Sequence, residues 1–509
     1  MEIGGWYKEP EPAKMFASML PRPLPDDRQT SILTALPKRL EEAGYDEKNL
    51  EQFLSGLPLI YRRYEQTPGY LWHCRQRPSA AADLACLWLF RQPLARQKAE
   101  AAMGAEVVQE LLALQLLEAD QDEVRALADL YPCMGRCFFT DPKWSVYKRF
   151  PNHVYDVSGD SFGLAFLATR KPVGRALDLG LGSGIHAILA AGHAEAVVGV
   201  DINPRAIGFT RLNAAVNGVA DRCDFRQGSL LGPVEGERFD QMSANLPFVP
   251  TPSDETLELY RPGGETGEEL VEEVISKAGQ FLNPGGTFFL VTTYPVMRSS
   301  HYLERIVGWL GGNRGWGVGL LNYGESPREM YIENQIDDFG GHRTTPEFIA
   351  RFQNWADCYE KHGIDAIREG VIAIRRLPED HPGFAEERSL PLPENSKAKL
   401  VGEWLKAMTR FHQAWTPEWH AWEPALHPLA PRLWEDLGGQ VGKAEYPTGW
   451  WPSAELDQLE LDLIKRLGPG KEAARLATEW AGEQGLSEED GRRWVSDGLR
   501  SLGQKMIVA

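Results

Sequence analysis

The apolar residues between positions 155 and 377 follow two alternating patterns. Short apolar runs predict strands, and segments in which apolar residues recur every three or four positions predict the helices between them. Such alternation is typical of an α/β fold with helices on both faces of a parallel sheet, where ligands bind beyond the carboxyl ends of the strands. The predicted strands are 175–180, 196–202, 223–228, 239–245, 286–294, 317–323 and 370–377. The predicted helices are 185–194, 204–218, 267–282, 299–311 and 345–363.

The residues before this region show a different pattern. Residues 1–27 are rich in proline and polar side chains, which predicts an extended segment. Residues 28–154 carry helical spacing followed by a two-stranded pattern, the order of a winged-helix module. We interpret this domain as a helical cap on the α/β domain, with DNA reading as the alternative, because the segment placed as a recognition helix, 105–118, has no lysine or arginine. The predicted helices are 31–54, 81–92 and 105–118, and the predicted strands are 122–132 and 135–141.

The composition changes again near residue 378. A linker-like stretch leads into a helical domain, 378–509, that is unusually rich in tryptophan. Its Trp415, Trp419 and Trp422 either line a pocket for a flat or cationic group or form an aromatic core, and we favour the core. The predicted fold class is therefore α/β, with a Rossmann-like seven-stranded domain at 155–377 between an N-terminal helical or winged-helix-like domain and a C-terminal helical domain.

Net charge, hydropathy and cysteine content indicate which kinds of molecule the chain is expected to bind. The formal net charge of −18 argues against nucleic-acid substrates, since such a surface repels polyanions. No apolar run approaches the roughly 18 residues of a membrane span, and the first residues lack a signal-peptide pattern, so we expect a cytoplasmic protein with no membrane partner. Cys133 and Cys137 lie four positions apart in a predicted hairpin, and buried thiols explain them better than a metal ion.

The first candidate for chemistry is a glycine-rich loop that follows a predicted strand and opens a helix. It reads Asp178-Leu-Gly180-Leu-Gly182-Ser-Gly184. Glycines let the backbone turn sharply and approach a ligand closely, and the N–H groups at the helix start can hold a polar group. Asp201 ends the next strand, where a carboxylate accepts hydrogen bonds from ribose hydroxyls. The strict dinucleotide pattern fails, because the third glycine comes one residue early.

The second candidate is the turn Asn245-Leu-Pro247-Phe248 at the end of the fourth predicted strand. The side-chain oxygen of Asn245 and a nearby backbone carbonyl are two acceptors that can hold both hydrogens of a planar NH₂ group. Pro247 stiffens the turn, and Phe248 can stack on a flat acceptor. Orientation of a nitrogen lone pair and stabilisation of developing positive charge would supply much of the catalysis.

These motifs resemble the class I S-adenosylmethionine-dependent methyltransferases of the small-domain group, which includes release-factor glutamine methyltransferases and ribosomal-RNA guanine N2-methyltransferases. The resemblance covers residues 155–377. It is carried by ALDLGLGSGIHAILAA, GVDINPRAIGFTRLNAAVNGV, NLPF and RPGGETGEELVEEVISKAGQFLNPGG. It implies S-adenosylmethionine as cofactor. The implied cofactor residues are Asp178, Gly180, Gly182, Gly184, Asp201, Ile202 and Asn245, and the implied acceptor-binding residues are Asn245, Pro247 and Phe248.

The sequence departs from the family pattern in two places. Leu246 replaces the first proline of N-P-P-Y, a form similar to that of ribosomal-RNA adenine dimethyltransferases. Ser229 stands where an aspartate usually lies beside adenine, and we assign it to the cofactor site. Ahead of the glycine loop, Asp160 and Ser161 are either cofactor or target contacts, or an ordinary helix cap.

Three functions remain open at this point. We favour an N-methyltransferase whose acceptor is an amide, guanidine or exocyclic amine of a small molecule, peptide or protein. A base N-methyltransferase acting on RNA or DNA is the first alternative, and it requires a basic face that the acidic composition does not indicate. A non-catalytic subunit that binds S-adenosylmethionine is the second alternative, and the presence of both motifs argues against it.

Overall fold

The computed structural model describes residues 25–56, 59, 62, 66–143, 152–336, 343–389, 401, 405, 408, 432–435, 442–445, 454–467 and 471–505. The chain forms two compact units. One comprises residues 1–165, 171–271 and 329–362, and the other comprises residues 166–170, 272–328 and 363–509. Of the predicted extended segment 1–27, residues 1–24 lie outside the described residues. The stretch from Trp415 to Trp422 also lies outside them.

The helices and strands are numbered in chain order. The helices are α1 (Asp27–Leu33), α2 (Leu36–Glu42), α3 (Glu47–Leu50), α4 (Thr67–Gln76), α5 (Ala80–Trp88), α6 (Arg96–Met103), α7 (Ala105–Ala113), α8 (Gly159–Leu167), α9 (Ile185–Ala190), α10 (Pro204–Val216), α11 (Glu269–Phe281), α12 (Tyr302–Trp309), α13 (Arg328–Ile336), α14 (Pro346–Lys361), α15 (Gln458–Arg466), α16 (Ala473–Gln484) and α17 (Glu488–Gln504). The strands are β1 (Leu94–Ala95), β2 (Leu117–Asp120), β3 (Glu123–Ala126), β4 (Asp129–Cys133), β5 (Arg136–Thr140), β6 (Val173–Leu179), β7 (Ala194–Asp201), β8 (Cys223–Gln227), β9 (Phe239–Asn245), β10 (Leu282–Met297), β11 (Trp316–Pro327), β12 (Ile364–Arg376), β13 (Phe384–Ser389), β14 (Arg432–Glu435), β15 (Gly442–Glu445) and β16 (Ala454–Leu456).

The N-terminal region is helical, as predicted, but the predicted helix 31–54 is divided into α1, α2 and α3, and α4 and α6 were not predicted. Strand β1 leads into α6 and α7, and β3 pairs antiparallel with both β1 and β2. Two further boundaries predicted from the sequence are wrong. The helix predicted to reach residue 118 ends at Ala113, because the chain turns at Gln115 with a positive φ and enters β2. The predicted strand 122–132 is two strands in two separate hairpins, β2–β3 and β4–β5.

The parallel strands of the first unit build the predicted Rossmann-like arrangement. Strand β6 pairs in parallel with β7 on one side and β9 on the other, and β7 pairs in parallel with β8. The interior residues of these strands are mostly buried on both faces, which is typical of strands covered by helices on both sides. The α/β fold class predicted from the sequence is therefore confirmed.

The second unit contains the remaining strands of the predicted set. Strand β12 pairs antiparallel with both β10 and β11, which corrects the expectation that all strands run in parallel. Strand β13, which was not predicted, pairs in parallel with β11. The region beyond residue 378 was predicted to be helical, but β14, β15 and β16 form an antiparallel sheet there before α15, α16 and α17. Among the described residues no helix is long and apolar enough to cross a membrane.

Polar side chains of α10 tie the β4–β5 hairpin to the α/β part of the first unit. The side chain of Asn213 accepts a hydrogen bond from the Phe139 N–H (2.8 Å) and donates to the Phe139 carbonyl (2.9 Å). Asn217 makes the same pair of bonds with Cys137, at 3.1 and 2.7 Å. The two asparagines lie four positions apart and so share one face of α10, where they complete the backbone hydrogen bonding of β5.

A buried ion pair joins the same two regions. The Arg205 guanidinium donates to both carboxylate oxygens of Asp141, at 2.8 and 2.5 Å. Asp141 also accepts the Val154 N–H at 2.8 Å and is fully buried. Removal of the arginine would leave a charged carboxylate in the core with one remaining donor.

We expect Arg205→Ala to lower the free energy of unfolding by about 3–5 kcal/mol, because breaking a buried pair leaves an uncompensated charge. Chemical denaturation of the full chain measures this change. The matched control is Arg96→Ala, which removes a half-exposed pair with Glu100 on one helix and should cost less than about 0.5 kcal/mol. Equal losses in the two variants would contradict the assignment.

Candidate functional site

The carboxyl ends of three parallel strands meet at one edge of the first unit. In the register of the sheet, Leu179 of β6 pairs with Val200 of β7 and with Ala244 of β9. The next residues along these strands are the start of the glycine loop, Asp201 and Asn245. The structure therefore brings together the three segments that the sequence singles out.

The glycine loop passes close to the turn at the end of β9. Gly180 has a φ of 75°, and a Cβ there would lie 2.8 Å from the carbonyl oxygen of Asn245. Gly184 has a φ of 80° and would place a Cβ 2.6 Å from the Thr210 side chain. Gly182 also has a positive φ, but its Cβ position faces open space. The loop is thus packed at both ends and accessible in the middle.

Asp201 holds the accessible middle of the loop. One carboxylate oxygen accepts the Gly182 N–H at 2.9 Å, and the other accepts the Asn203 N–H at 2.8 Å. Burial raises the pKa of Asp201, and these two N–H groups act in the opposite direction. The neighbouring Ile202 is 57% exposed, so an apolar side chain lies open beside the carboxylate. Ser229 is exposed in the turn after β8.

Asp178 lies beneath the loop. Its carboxylate is fully buried and accepts the Ala187 N–H of α9 at 3.0 Å and the Ser243 hydroxyl at 2.9 Å. Burial raises the pKa of Asp178 to about 8. A protonated Asp178 can donate to Ser243, because the Ser243 hydroxyl can turn to the Leu177 carbonyl at 3.3 Å. These contacts indicate that Asp178 positions the loop and helix α9 from below.

The turn after β9 presents the half-buried Asn245 next to a second polar residue. The side chain of Asn245 lies close enough to Asp160, near the start of α8, to lower the pKa of that carboxyl, and Asp160 also accepts the Ser158 hydroxyl at 2.7 Å. Burial raises the pKa of Asp160. Since a carboxylate accepts hydrogen bonds, it favours an orientation in which the amide nitrogen of Asn245 faces Asp160 and the amide oxygen faces away. Pro247 and Phe248 are half-buried, whereas Leu246 is buried.

A second loop holds this turn from behind. A Cβ at Gly263 would lie 2.8 Å from the Phe248 Cα, and one at Gly267 would lie 2.4 Å from the Phe248 carbonyl. Val249 accepts the Gly263 N–H at 3.0 Å, and its own N–H donates to the Arg261 carbonyl at 2.9 Å. We call residues 261–267 the backing loop. Three glycines within five positions are the sequence signal for this close approach to the turn.

Two tyrosines near the turn were also missed. Tyr155 and Tyr260 stack with their ring centroids 4.8 Å apart. Burial raises the pKa of Tyr155, and the nearby carboxylates of Asp160 and Asp156 raise it further. Tyr155 precedes α8 and Tyr260 precedes the backing loop, so no local spacing could have paired them.

His186, two residues after Gly184 of the glycine loop, is buried within α9. Cys133 and Cys137 are buried free thiols. Burial raises the pKa of the Cys137 thiol.

The glycine loop and the turn after β9 lie within a part of the chain that matches a known protein family. Residues 156–310 match the family described as Methyltransferase small domain, and residues 61–127 match a domain of unknown function. A release factor glutamine methyltransferase of Geobacter sulfurreducens is 37% identical over 122 residues, which is 22% of this chain and 42% of that protein. A ribosomal protein uL3 glutamine methyltransferase of Bradyrhizobium diazoefficiens is 29% identical over 164 residues, which is 30% of this chain and 51% of that protein. These matches confirm the resemblance over this segment, and the chain spans about half the length of these relatives.

We expect the buried Asp178 to make stability fall as the pH rises. An aspartate in the unfolded chain ionises near pH 4, so between about pH 4 and 8 the folded state binds more protons than the unfolded state, and the free energy of unfolding decreases with pH. Thermal unfolding across this range measures the slope. Asp178→Asn should flatten this part of the profile, whereas the exposed control Asp221→Asn should leave it unchanged. A wild-type slope retained in Asp178→Asn would contradict the assignment.

Proposed function

We propose that this chain transfers a methyl group from S-adenosylmethionine to the side-chain amide nitrogen of a glutamine in a protein or peptide. The observation that carries the proposal is the position of Asn245. Its backbone carbonyl lies against Gly180 of the glycine loop, and its half-buried side chain stands at the end of β9, on the same sheet edge as the loop.

The residues at the sheet edge fit the cofactor. The accessible Gly182, the carboxylate of Asp201 and the exposed Ile202 offer a close backbone approach, two acceptor oxygens for ribose hydroxyls and an apolar surface for adenine. Ser229 follows at the end of β8, where its hydroxyl can bond to the base. S-adenosylmethionine supplies an electrophilic methyl group on a sulfonium.

The turn after β9 orients the acceptor nitrogen. The carbonyls of Asn245 and Pro247 face Gly180 and Gly263, so we assign the second acceptor to the Leu246 carbonyl. Together with the Asn245 oxygen it holds both amide hydrogens and directs the nitrogen towards the glycine loop. The ring of Phe248 then packs on the face of the planar amide.

The residues of the turn contribute by electrostatics and orientation. As the new N–C bond forms and the C–S bond breaks, positive charge develops on the nitrogen, which afterwards loses a proton to solvent. The two oxygens stabilise that charge without reorganising, and the carboxylate of Asp160 favours the orientation in which the amide nitrogen of Asn245 faces it.

A protein substrate agrees with the names of the relatives, which are glutamine methyltransferases of a release factor and of ribosomal protein uL3. Because those substrates belong to the translation machinery, we place the activity in the cytoplasm. The net charge of −18 favours a basic or neutral segment around the target glutamine over a polyanion.

Calorimetric titration tests the cofactor assignment. We expect wild-type protein to bind S-adenosylmethionine and Asp201→Ala to bind it about 10–100-fold more weakly, the loss expected for hydrogen bonds to a charged group. The exposed variant Asp221→Ala controls for a change in net charge and should bind as wild type does. Wild-type-like binding by Asp201→Ala would refute the role of Asp201.

A methyl-transfer assay on glutamine-containing peptides tests the acceptor turn. Asn245→Ala should lower kcat/KM by about 10²–10³ while leaving S-adenosylmethionine affinity near that of wild type, since one preorganised oxygen is lost. Asn49→Ala, at an exposed position in α3, is the matched control. If Asn245→Ala lost binding and transfer equally, Asn245 would be a structural residue.

A further inference from the structure

We propose that Glu265, Cys358 and His362 form a binding site for a divalent transition metal ion of the zinc class. The site lies in the first unit, and it is separate from the residues assigned above to the cofactor and the acceptor. The proposal does not depend on methyl transfer.

The three side chains converge from two segments. Cys358 and His362 lie four positions apart at the C-terminal end of α14, so both project from one face of the helix. Glu265 comes from the backing loop. One ligand atom from each residue lies within 4.8 Å of the others. The His362 Nε2 is 2.8 Å from a carboxylate oxygen of Glu265, and the Cys358 Sγ is 3.9 Å from the Glu265 carbonyl.

The types of ligand select the class of metal. A thiolate and an imidazole are typical ligands of zinc and similar borderline ions, and a carboxylate completes a set of three. Calcium and magnesium prefer oxygen ligands alone and would leave the sulfur and nitrogen unused. Three protein ligands leave one tetrahedral position for water, for which the site has room because Glu265 and His362 are partly exposed.

Charge around the cluster also favours a cation. The carboxylates of Glu265, Glu269 and Asp254 all act on the Cys358 thiol and make its surroundings negative. A bound metal would displace the thiol proton to solvent as the S–metal bond forms. Lys361 competes for the site, because its Nζ lies 2.6 Å from the same Glu265 oxygen that contacts His362. Lys361 is 64% exposed, so it can move to solvent at little cost.

A metal at this position would cross-link helix α14 to the backing loop. The backing loop contacts the turn after β9 through Gly263 and Gly267. The ion would fix the loop against which the turn packs, while its fourth position remains open to water.

Titration of the full chain with Co²⁺ tests the proposal, because a cobalt–thiolate bond gives an intense near-ultraviolet charge-transfer band. We expect saturable growth of the band at one equivalent and its loss on addition of Zn²⁺. Cys358→Ser should abolish the band, and Cys223→Ser, a partly exposed thiol elsewhere in the first unit, should retain it. The absence of a saturable band in wild type, or its persistence in Cys358→Ser, would overturn the proposal.

Two further variants separate loss of a ligand from misfolding. His362→Ala should weaken Zn²⁺ binding by at least about tenfold, since even an outer-shell change typically costs that much. Lys361→Ala should tighten binding, because it removes the competing cation and keeps all three ligands. A cluster that is only a network of ion pairs would instead show no metal-dependent change in either variant, and that result would refute the site.

Discussion

The approach of Gly180 to the carbonyl oxygen of Asn245 is the contact on which the site depends. It joins the loop after β6 to the turn after β9, and it leaves no room for a side chain at position 180. The parallel register of β6, β7 and β9 brings the two segments to the same edge, but the glycine sets how close they come. The two halves of the proposed chemistry, cofactor loop and acceptor turn, are thereby held by backbone atoms.

The N-terminal region and the site share one folding unit. The asparagines of α10 complete the hydrogen bonding of β5, while the opposite end of that helix is anchored by Arg205 to Asp141. Helix α10 also contacts the glycine loop, through the bond from Thr210 to the Gly182 carbonyl at 3.2 Å. A change in the position of the β4–β5 hairpin would therefore be transmitted through α10 to the glycine loop.

Most strands and the two motifs could be predicted from the sequence, because both have local signals. A strand buried on both faces appears as a short apolar run, and the glycine loop appears as a fixed spacing of glycines. It failed where the decisive partner is distant in the chain. The direction of β12 is set by pairing with β10 and β11, which no periodicity encodes. The burial of Asp178 under the loop, and the stacking of Tyr155 on Tyr260, likewise depend on tertiary packing. Two asparagines four positions apart in a predicted helix, such as Asn213 and Asn217, indicate side chains that bond to the backbone of a neighbouring strand.

The position of the Asp160 carboxyl beside Asn245 has a consequence for discrimination between closely similar side chains. With the amide nitrogen of Asn245 turned to that carboxyl, the proposed acceptor turn would offer hydrogen-bond acceptors and no donor to an entering group. A glutamine can satisfy both oxygens with its NH₂ group. A glutamate of the same size would place a negative oxygen against two carbonyl oxygens and the half-buried carboxyl of Asp160, which repulsion and desolvation disfavour. If the proposed function holds, deamidation of a target glutamine would make it a non-substrate without any change of shape.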